Sequence, residues 1–362
     1  MPPSVDVLIK DAPSDTGAEP FTGTPFWESP DIAVRQTDDD VFIDEPAVQG
    51  QKNFVYVRVH NRGKETANDV TVSLRAVAFP GSEFLYPQDW TAVDGTHVKP
   101  TGVTPHFNHL PPGAAEVAKF RIDKDDVDIL YGWEQVNWHP CLLAEVTSDE
   151  DPTAGGFAVH VWDRNNLAQR NITVIPKVQP FIKRIPRAAL YAFIAGHRAN
   201  VEPYMELVID RSAVPRSVEL FLDPAARESV FPALSDDDLG RGGRATAKVL
   251  DSTRLGLSFC GSAGIVTLAP GSFFEWSDGG CAEAVPLVGA EVVKRDGRRL
   301  IALRAGKAVI GVPKAPGELR QMSLAMAMPD GLHVAQPLTV RVAQRNIRGR
   351  VVGGVTLLLE GA

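Results

Sequence analysis

The sequence predicts an all-β chain folded as two tandem immunoglobulin-like β-sandwich domains. Three observations predict it. Short segments alternate apolar and polar residues, as strands with one buried and one wet face do. Turn formers are frequent and spread out, with 31 glycines and 28 prolines in 362 residues, which suits many short strands. No segment keeps a helical period for three turns, and one short helical turn near Asp125 to Leu130 is the only helix expected. The length itself suggests about two or three domains.

Residues 1–30 read as an irregular leader packed on the first domain, dense in turn formers from Asp11 to Gly17 and from Pro20 to Pro30. Phe26 and Trp27 are the side chains expected to pin it. The first sandwich spans 31–176. In Phe54 to His60 the residues Val55, Val57 and Val59 share one face. Asn61-Arg62-Gly63 reads as a tight turn between two paired strands, with Gly63 able to take positive φ. Asp69 to Ala76 alternates again, with Val70, Val72 and Leu74 inward. Residues 80–113 read as a long loop. Ala118, Phe120 and Ile122 mark a further strand, Cys141 to Val146 and Phe157 to Val161 two more, and Ile172 with Val174 the last. This is the grammar of a sandwich.

A proline-containing linker, 177–183, separates the second sandwich, 184–362. Its strand candidates are Met205 to Ile209, Ser217 to Leu222, Gly264 to Leu268, Leu300 to Leu303, Ala308 to Val312, Met322 to Met328, Leu338 to Val342 and Val351 to Leu359. Residues 223–248 are the least strand-like and hold Asp236-Asp237-Asp238. Ala168-Gln169-Arg170-Asn171-Ile172 recurs as Ala343-Gln344-Arg345-Asn346-Ile347. A last strand shared by duplicated domains would explain the echo, and so would chance.

Composition narrows function. Asp and Glu outnumber Lys and Arg, 45 to 37, for a net charge of −8. A nucleic-acid binder needs a basic face to displace counterions, so that class is disfavoured. No apolar run reaches the ~18 residues of a membrane span. The start of the chain lacks a basic, then apolar, signal pattern. Cytoplasmic residence is therefore the default expectation, with leaderless export or surface association as alternatives. Three cysteines exclude a disulfide framework, although Cys260 and Cys281 could form one bridge.

Three stretches carry a family resemblance: Ser29 to Arg35, Val55 to Gly63 continuing through Ala67 to Val72, and Asp163 to Asn171. On these the first half resembles the bacterial cell-adhesion-related (CARDB) domain, an immunoglobulin-like module appended to secreted peptidases and surface proteins. The resemblance implies the fold and says little about a partner. The second half looks like a further module of the kind that follows such domains, on Pro316-Gly317-Glu318 and Gly349 to Thr356.

Catalytic motifs are sparse. There is no His-Glu-x-x-His, no Gly-x-Ser-x-Gly and no phosphate loop or dinucleotide fingerprint. His106 and His109, with His139 and Cys141, could meet at a metal only if a loop folds onto a strand. Cys260-Gly261-Ser262 faintly resembles a cysteine nucleophile but lacks its context. Asp123, Asp125, Asp126 and Asp128 are calcium candidates, because calcium takes several loop oxygens; solvated acidic loops are the alternative, here and at Asp38 to Asp40 and Asp149 to Asp151. No other cofactor is expected. Trp90, Tyr131, Trp133 and Trp138 are candidate partner-binding aromatics if exposed and core plugs if buried. The reading that follows is a non-catalytic interaction or scaffold protein that binds a protein partner through sandwich loops or edge strands. A carbohydrate-binding module, and an enzyme accessory domain or unrecognised hydrolase, are the alternatives.

Overall fold

The computed structural model describes residues 4–77, 83–87, 90, 106–128, 140–153, 159–175, 188–196, 204–223, 229–231, 246–251, 254–259, 262–267, 287–295, 298–313, 319–327, 338–346 and 348–359. Within them the ordered elements are strands, apart from a helical turn at 124–128, a helical residue at Trp90 and a 3-10 turn at Val161–Asp163. The chain is all-β. It divides into two units, residues 1–80 with 84–181 and residues 81–83 with 182–362.

The first unit carries β1 (Val7–Leu8), β2 (Ile32–Arg35), β3 (Ala47–Val48), β4 (Asn53–Asn61), β5 (Ala67–Val77), β6 (Leu85–Tyr86), β7 (His106–Leu110), β8 (Ala115–Ile122), β9 (Cys141–Thr147), β10 (Val159–His160), β11 (Leu167–Asn171) and β12 (Val174–Ile175). One antiparallel sheet is built round β4, which pairs with β8 along one side and with β2 and β1 along the other. A second antiparallel sheet runs β11-β9-β5-β7. β10 pairs with β6, and β12 pairs in parallel with β3.

Alternation decides which face is buried. Val55, Val57 and Val59 of β4 are fully buried, as are Val70 and Val72 of β5, with Leu74 beside them. Ala118, Phe120 and Ile122 give β8 its buried face. Taking each such side chain out of water contributes about 1.5–3 kcal/mol for the larger ones.

Three local expectations are corrected. The long loop of residues 80–113 contains β6 and β7. Of the strand expected at Phe157 to Val161, Val159–His160 is strand and Val161 opens the 3-10 turn, while Phe157 and Ala158 lie outside the described residues. And Asn61-Arg62-Gly63 joins no paired strands: β4 lies in one sheet and β5 in the other. The turn is a corner between sheets. Asn61 organises it, donating from Nδ2 to the carbonyls of Glu65 (2.9 Å) and Leu110 (2.8 Å) and accepting at Oδ1 from Gly63 N (2.9 Å). Gly63 does not take positive φ. A Cβ there would lie 2.6 Å from the Ser4 carbonyl and 2.7 Å from Val5 Cα, so close approach of backbone excludes a side chain.

The segment ahead of β2 is bound to this unit by buried polar groups. Asp6 forms an ion pair with Arg62 and accepts from Asn165 Nδ2 at 2.8 Å. Asp31 accepts from Lys10 N (2.9 Å) and is hydrogen-bonded to His60 Nε2 (2.8 Å). Asp151 accepts from Val7 N at 2.8 Å. Trp27 and Ser29 run along the outer edge of β11, with Asn171 N donating to the Trp27 carbonyl and Ser29 N to that of Gln169. Phe26 and Trp27 are buried, Phe26 with its ring centroid 4.5 Å from that of Trp162.

The second unit carries β13 (Ala188–Gly196), β14 (Tyr204–Asp210), β15 (Glu219–Asp223), β16 (Ser229–Phe231), β17 (Thr246–Asp251), β18 (Arg254–Phe259), β19 (Ser262–Thr267), β20 (Leu287–Val288), β21 (Ala290–Arg295), β22 (Arg298–Leu303), β23 (Lys307–Pro313), β24 (Leu319–Ala327), β25 (Leu338–Arg345) and β26 (Val351–Leu359). One sheet runs β13-β24-β15-β22-β21, with β16 also on β24; another runs β20-β23-β14-β25-β26; β17, β18 and β19 form a third. The first two share a core: Leu220, Leu222, Met322 and Leu324 from one meet Leu207, Ile209, Ile310 and Val340 from the other. Arg211 is buried at a turn and donates to the carbonyls of Leu303 (2.8 Å), Pro215 (3.1 Å) and Val218 (2.6 Å), so its charge is solvated by backbone.

The echoed pentapeptides occupy different places. β11 ends its sheet, whereas β25 lies between β14 and β26, and each is followed by a further strand, β12 or β26. A shared last strand does not account for the echo. Both copies nevertheless bury their glutamine, Gln169 and Gln344, and Gln344 Oε1 accepts from Gly196 N at 3.0 Å.

Candidate functional site

The two sides of the first unit are unlike. On one, residues 4–31, which include β1, lie against β4 and β11. On the other, among the described residues β8 pairs with β4 alone, from Asn53↔Ile122 to His60↔Ala115, and β7 with β5 alone. Among the described residues no strand occupies the outer edge of β8 or β7. The two edges are neighbours because the chain passes from β7 to β8 through Pro111 to Ala114. Gly113 sits there at φ +72°, and its N–H donates to the Asn61 carbonyl at 2.8 Å.

A loop, residues 36–46, lies over the outer face of β4 and β8. Arg35 anchors its base, holding Asp39 at 2.6 Å and Glu45 at 2.8 Å. The hydrogen bond from Arg35, then that from Thr37, holds the Asp39 carboxyl down at about 2. Tyr56 is buried; its hydroxyl accepts from Asp39 N (3.1 Å) and donates to Asp38 (3.2 Å). Lys119 of β8 takes both Asp38 (3.3 Å) and Asp40. Arg58, opposite Val117 in the ladder, stands 3.9 Å from the centre of the Phe42 ring. Asp44 ties the far end to Arg170 at 2.7 Å and accepts from Val34 N at 2.9 Å. These fixings leave Val41 and Ile43 facing water, 39% and 59% exposed, and among the described residues they are the exposed large apolar side chains.

The aspartates singled out as calcium candidates are not gathered about a point. Asp123 is held by Arg121 at 2.9 Å, and Asp128 by Lys124 at 2.8 Å while accepting from Gly50 N at 3.1 Å. Asp126 keeps one buried oxygen without a hydrogen bond, and burial, then Asp123 and Asp125, raise its pKa. Among the described residues no group of three or more His, Cys, Asp or Glu side chains is arranged to hold a metal ion. In the cluster at 149–151, Glu150 receives Asn68 Nδ2 at 2.6 Å and Asp151 receives Val7 N.

His106 and His109 stand on β7 opposite Thr71 and Asn68. Cys141 pairs with Val77 at the other end of β5, about 20 Å along the strand at ~3.4 Å per residue. The two are not brought together. Cys141 is buried, bonded to Asn171 Oδ1 at 2.7 Å, and burial pushes its thiol far up, which makes it unreactive. Trp90 presents no ring to solvent: it is fully buried, tilted against Phe84 at 5.1 Å. Tyr131, Trp133, Trp138, His139, Cys260 and Cys281 lie outside the described residues, as do the linker and Asp236 to Asp238.

The open edge and the Val41–Ile43 tip escaped the sequence reading of sites. The edge is a property of pairing, which no local pattern carries. The tip had a signal: three aliphatic or aromatic residues enclosed by Asp38 to Asp40 and Asp44-Glu45, with no strand-like alternation to bury them. No helix among the described residues is long and apolar enough to cross a membrane.

No protein-family model and no curated protein matches the chain. Among solved structures, the CARDB domain of a Pyrococcus furiosus protein, in complex with di-metal ions, aligns at 16% identity over 40% of this chain and 88% of that one, with a TM-score of 0.21. Collagen adhesin from S. aureus aligns at 9% identity over 92% of this chain and 95% of that one, TM-score 0.21. Red sea bream transglutaminase aligns at 12% identity over 91% of this chain and 31% of that one, TM-score 0.21. The likeness is weak in each case, and scores of this size do not establish a shared fold.

Proposed function

We propose that this is a non-catalytic binding protein whose first unit, an immunoglobulin-like sandwich, takes a protein partner by strand addition along β8. The observation that supports it is the asymmetry of the unit: one side is covered by residues 4–31, and among the described residues the edge of β8 is paired on one side only. An unpaired strand edge presents N–H and C=O groups to which an extended segment can add, with backbone bonds supplying affinity. Eight residues of β8 offer the length of an ordinary strand.

Proline substitution tests this. Backbone N–H groups along an antiparallel strand point alternately to one neighbour and the other. Of the two variants Glu116→Pro and Val117→Pro, one therefore removes a bond to β4 and the other an outward donor. The variant that keeps its thermal stability is the edge-blocked one. It is expected to lose the partner that the wild-type chain captures; retention of that partner would contradict edge addition.

A further inference from the structure

We propose that Asp11 and Asp15 hold a hard divalent cation, calcium, which stiffens the turn that docks residues 4–31 on the first unit, a role independent of strand addition at β8.

Residues 11–17 form a closed turn. Asp15 builds it. Its Oδ2 accepts from Asp11 N at 3.0 Å and its Oδ1 from Gly17 N at 2.7 Å, while Asp15 N donates to the Ala12 carbonyl at 2.9 Å. Gly17 ends the turn at φ +82°, a conformation that favours glycine. The turn is tied to the sandwich there: Arg62 donates to the Thr16 carbonyl (2.6 Å) and Asn165 to that of Gly17 (3.3 Å). Pro13 and Ser14, at the tip, are exposed and leave a route from solvent.

Two carboxyl groups meet in this turn. Asp11 is 1% exposed and Asp15 is 3% exposed. Asp15 has its two N–H donors, whereas Asp11 Oδ1 has no hydrogen bond. The neighbouring charge that acts on Asp11 is that of Asp15, of the same sign. Two other buried aspartates of the segment are placed differently: Asp6 has Arg62, and Asp31 has Arg58 and His60. A buried carboxylate needs a compensating partner, and the groups facing this one are oxygens. Such a set suits calcium, which takes about six to eight oxygens in flexible geometry, better than zinc, which favours nitrogen and sulfur. Two carboxylates balance its charge, and chain carbonyls and water complete its shell. In the free chain a proton on Asp11 relieves the pair, and calcium would enter by displacing it.

The test is calorimetric titration and thermal unfolding of the full chain with calcium, set against chelator and against magnesium at the same concentration. One calcium should bind per chain, slow amide exchange in residues 11–17 and raise the melting temperature by roughly 5 °C at saturation. Magnesium demands near-octahedral geometry and should raise it less. Asp11→Asn should lose the calcium response and yet, in chelator, unfold no lower than the wild type, because the buried amide carries no charge. Asp126→Asn, at another carboxyl with an unbonded buried oxygen, should keep the response. A wild type indifferent to calcium would overturn the site and leave Asp11 a protonated acid only. An equal response to magnesium would overturn it as general screening of the acidic chain, and a response that survives Asp11→Asn would overturn it by placing the ion elsewhere.

Discussion

A side chain at Gly63 would collide with Ser4: the Cβ would stand 2.6 Å from the Ser4 carbonyl oxygen, closer than real Cβ contacts come. The contact joins the corner between the two sheets to the segment that covers β11. Lys64 N and Glu65 N both donate to that same carbonyl, at 2.7 and 2.8 Å. Gly63→Ala should therefore cost about 1–3 kcal/mol, as overpacking against backbone does. Thermal unfolding and limited proteolysis are the checks. Residues 4–30 should be cut faster in the variant, and an unchanged melting temperature would contradict the packing described.

Removing the Arg62 guanidinium leaves Asp6, 2% exposed, with Asn165 and no cation. Breaking a buried pair from one side costs about 3–5 kcal/mol. Arg62 is one-third exposed, so Arg62→Met should cost less, roughly 2–3 kcal/mol. Denaturant unfolding of the two proteins measures it. Asp6→Asn with Arg62→Met should recover part of the loss, because the stranded charge is gone.

Asp11 is buried, its Oδ1 has no hydrogen bond, and its N–H donates to Asp15 at 3.0 Å. Burial, then the Asp15 charge, raises its pKa well above the usual range. The folded chain thus keeps a proton that the unfolded chain has released. Stability linked to this group is full below about pH 4 and is lost as pH rises toward the folded pKa. Asp11→Asn removes that dependence. The variant's melting temperature should gain on the wild type as pH is raised from 4 to 7 or so; a constant difference would show that Asp11 does not titrate abnormally.

Lys119 and Arg121 are expected to keep the free protein from pairing edge to edge. The wild-type chain should sediment as a monomer through the β8 edge. Lys119→Thr with Arg121→Thr should associate as concentration rises, and a variant that stays monomeric would remove the charge argument.

Much of the strand content was legible in alternation. Val55, Val57 and Val59, or Ala118, Phe120 and Ile122, announce a buried face because successive side chains point to opposite sides. Partnership was not legible. Asn61-Arg62-Gly63 has the residues of a hairpin turn, yet β4 and β5 part there into different sheets, and the choice is made by pairing partners far along the chain. β7, His-Phe-Asn-His-Leu, was hidden because its side chains are mostly exposed and show no period. β13, Ala-Ala-Leu-Tyr-Ala-Phe-Ile-Ala-Gly, was hidden by the opposite cause, an apolar run without alternation. The acidic clusters looked like cation sites because sequence shows carboxylates in a row but not the Arg121, Lys124 and Asn68 groups that occupy them.

Residue-resolved amide exchange along Ala115–Ile122 in the free protein tests the central claim most directly. With an open edge, amides bonded to β4 exchange slowly and those between them exchange close to the rate of exposed backbone, in strict alternation. Slow exchange at consecutive residues across β8 would mean that its edge is already covered, and would contradict strand addition there.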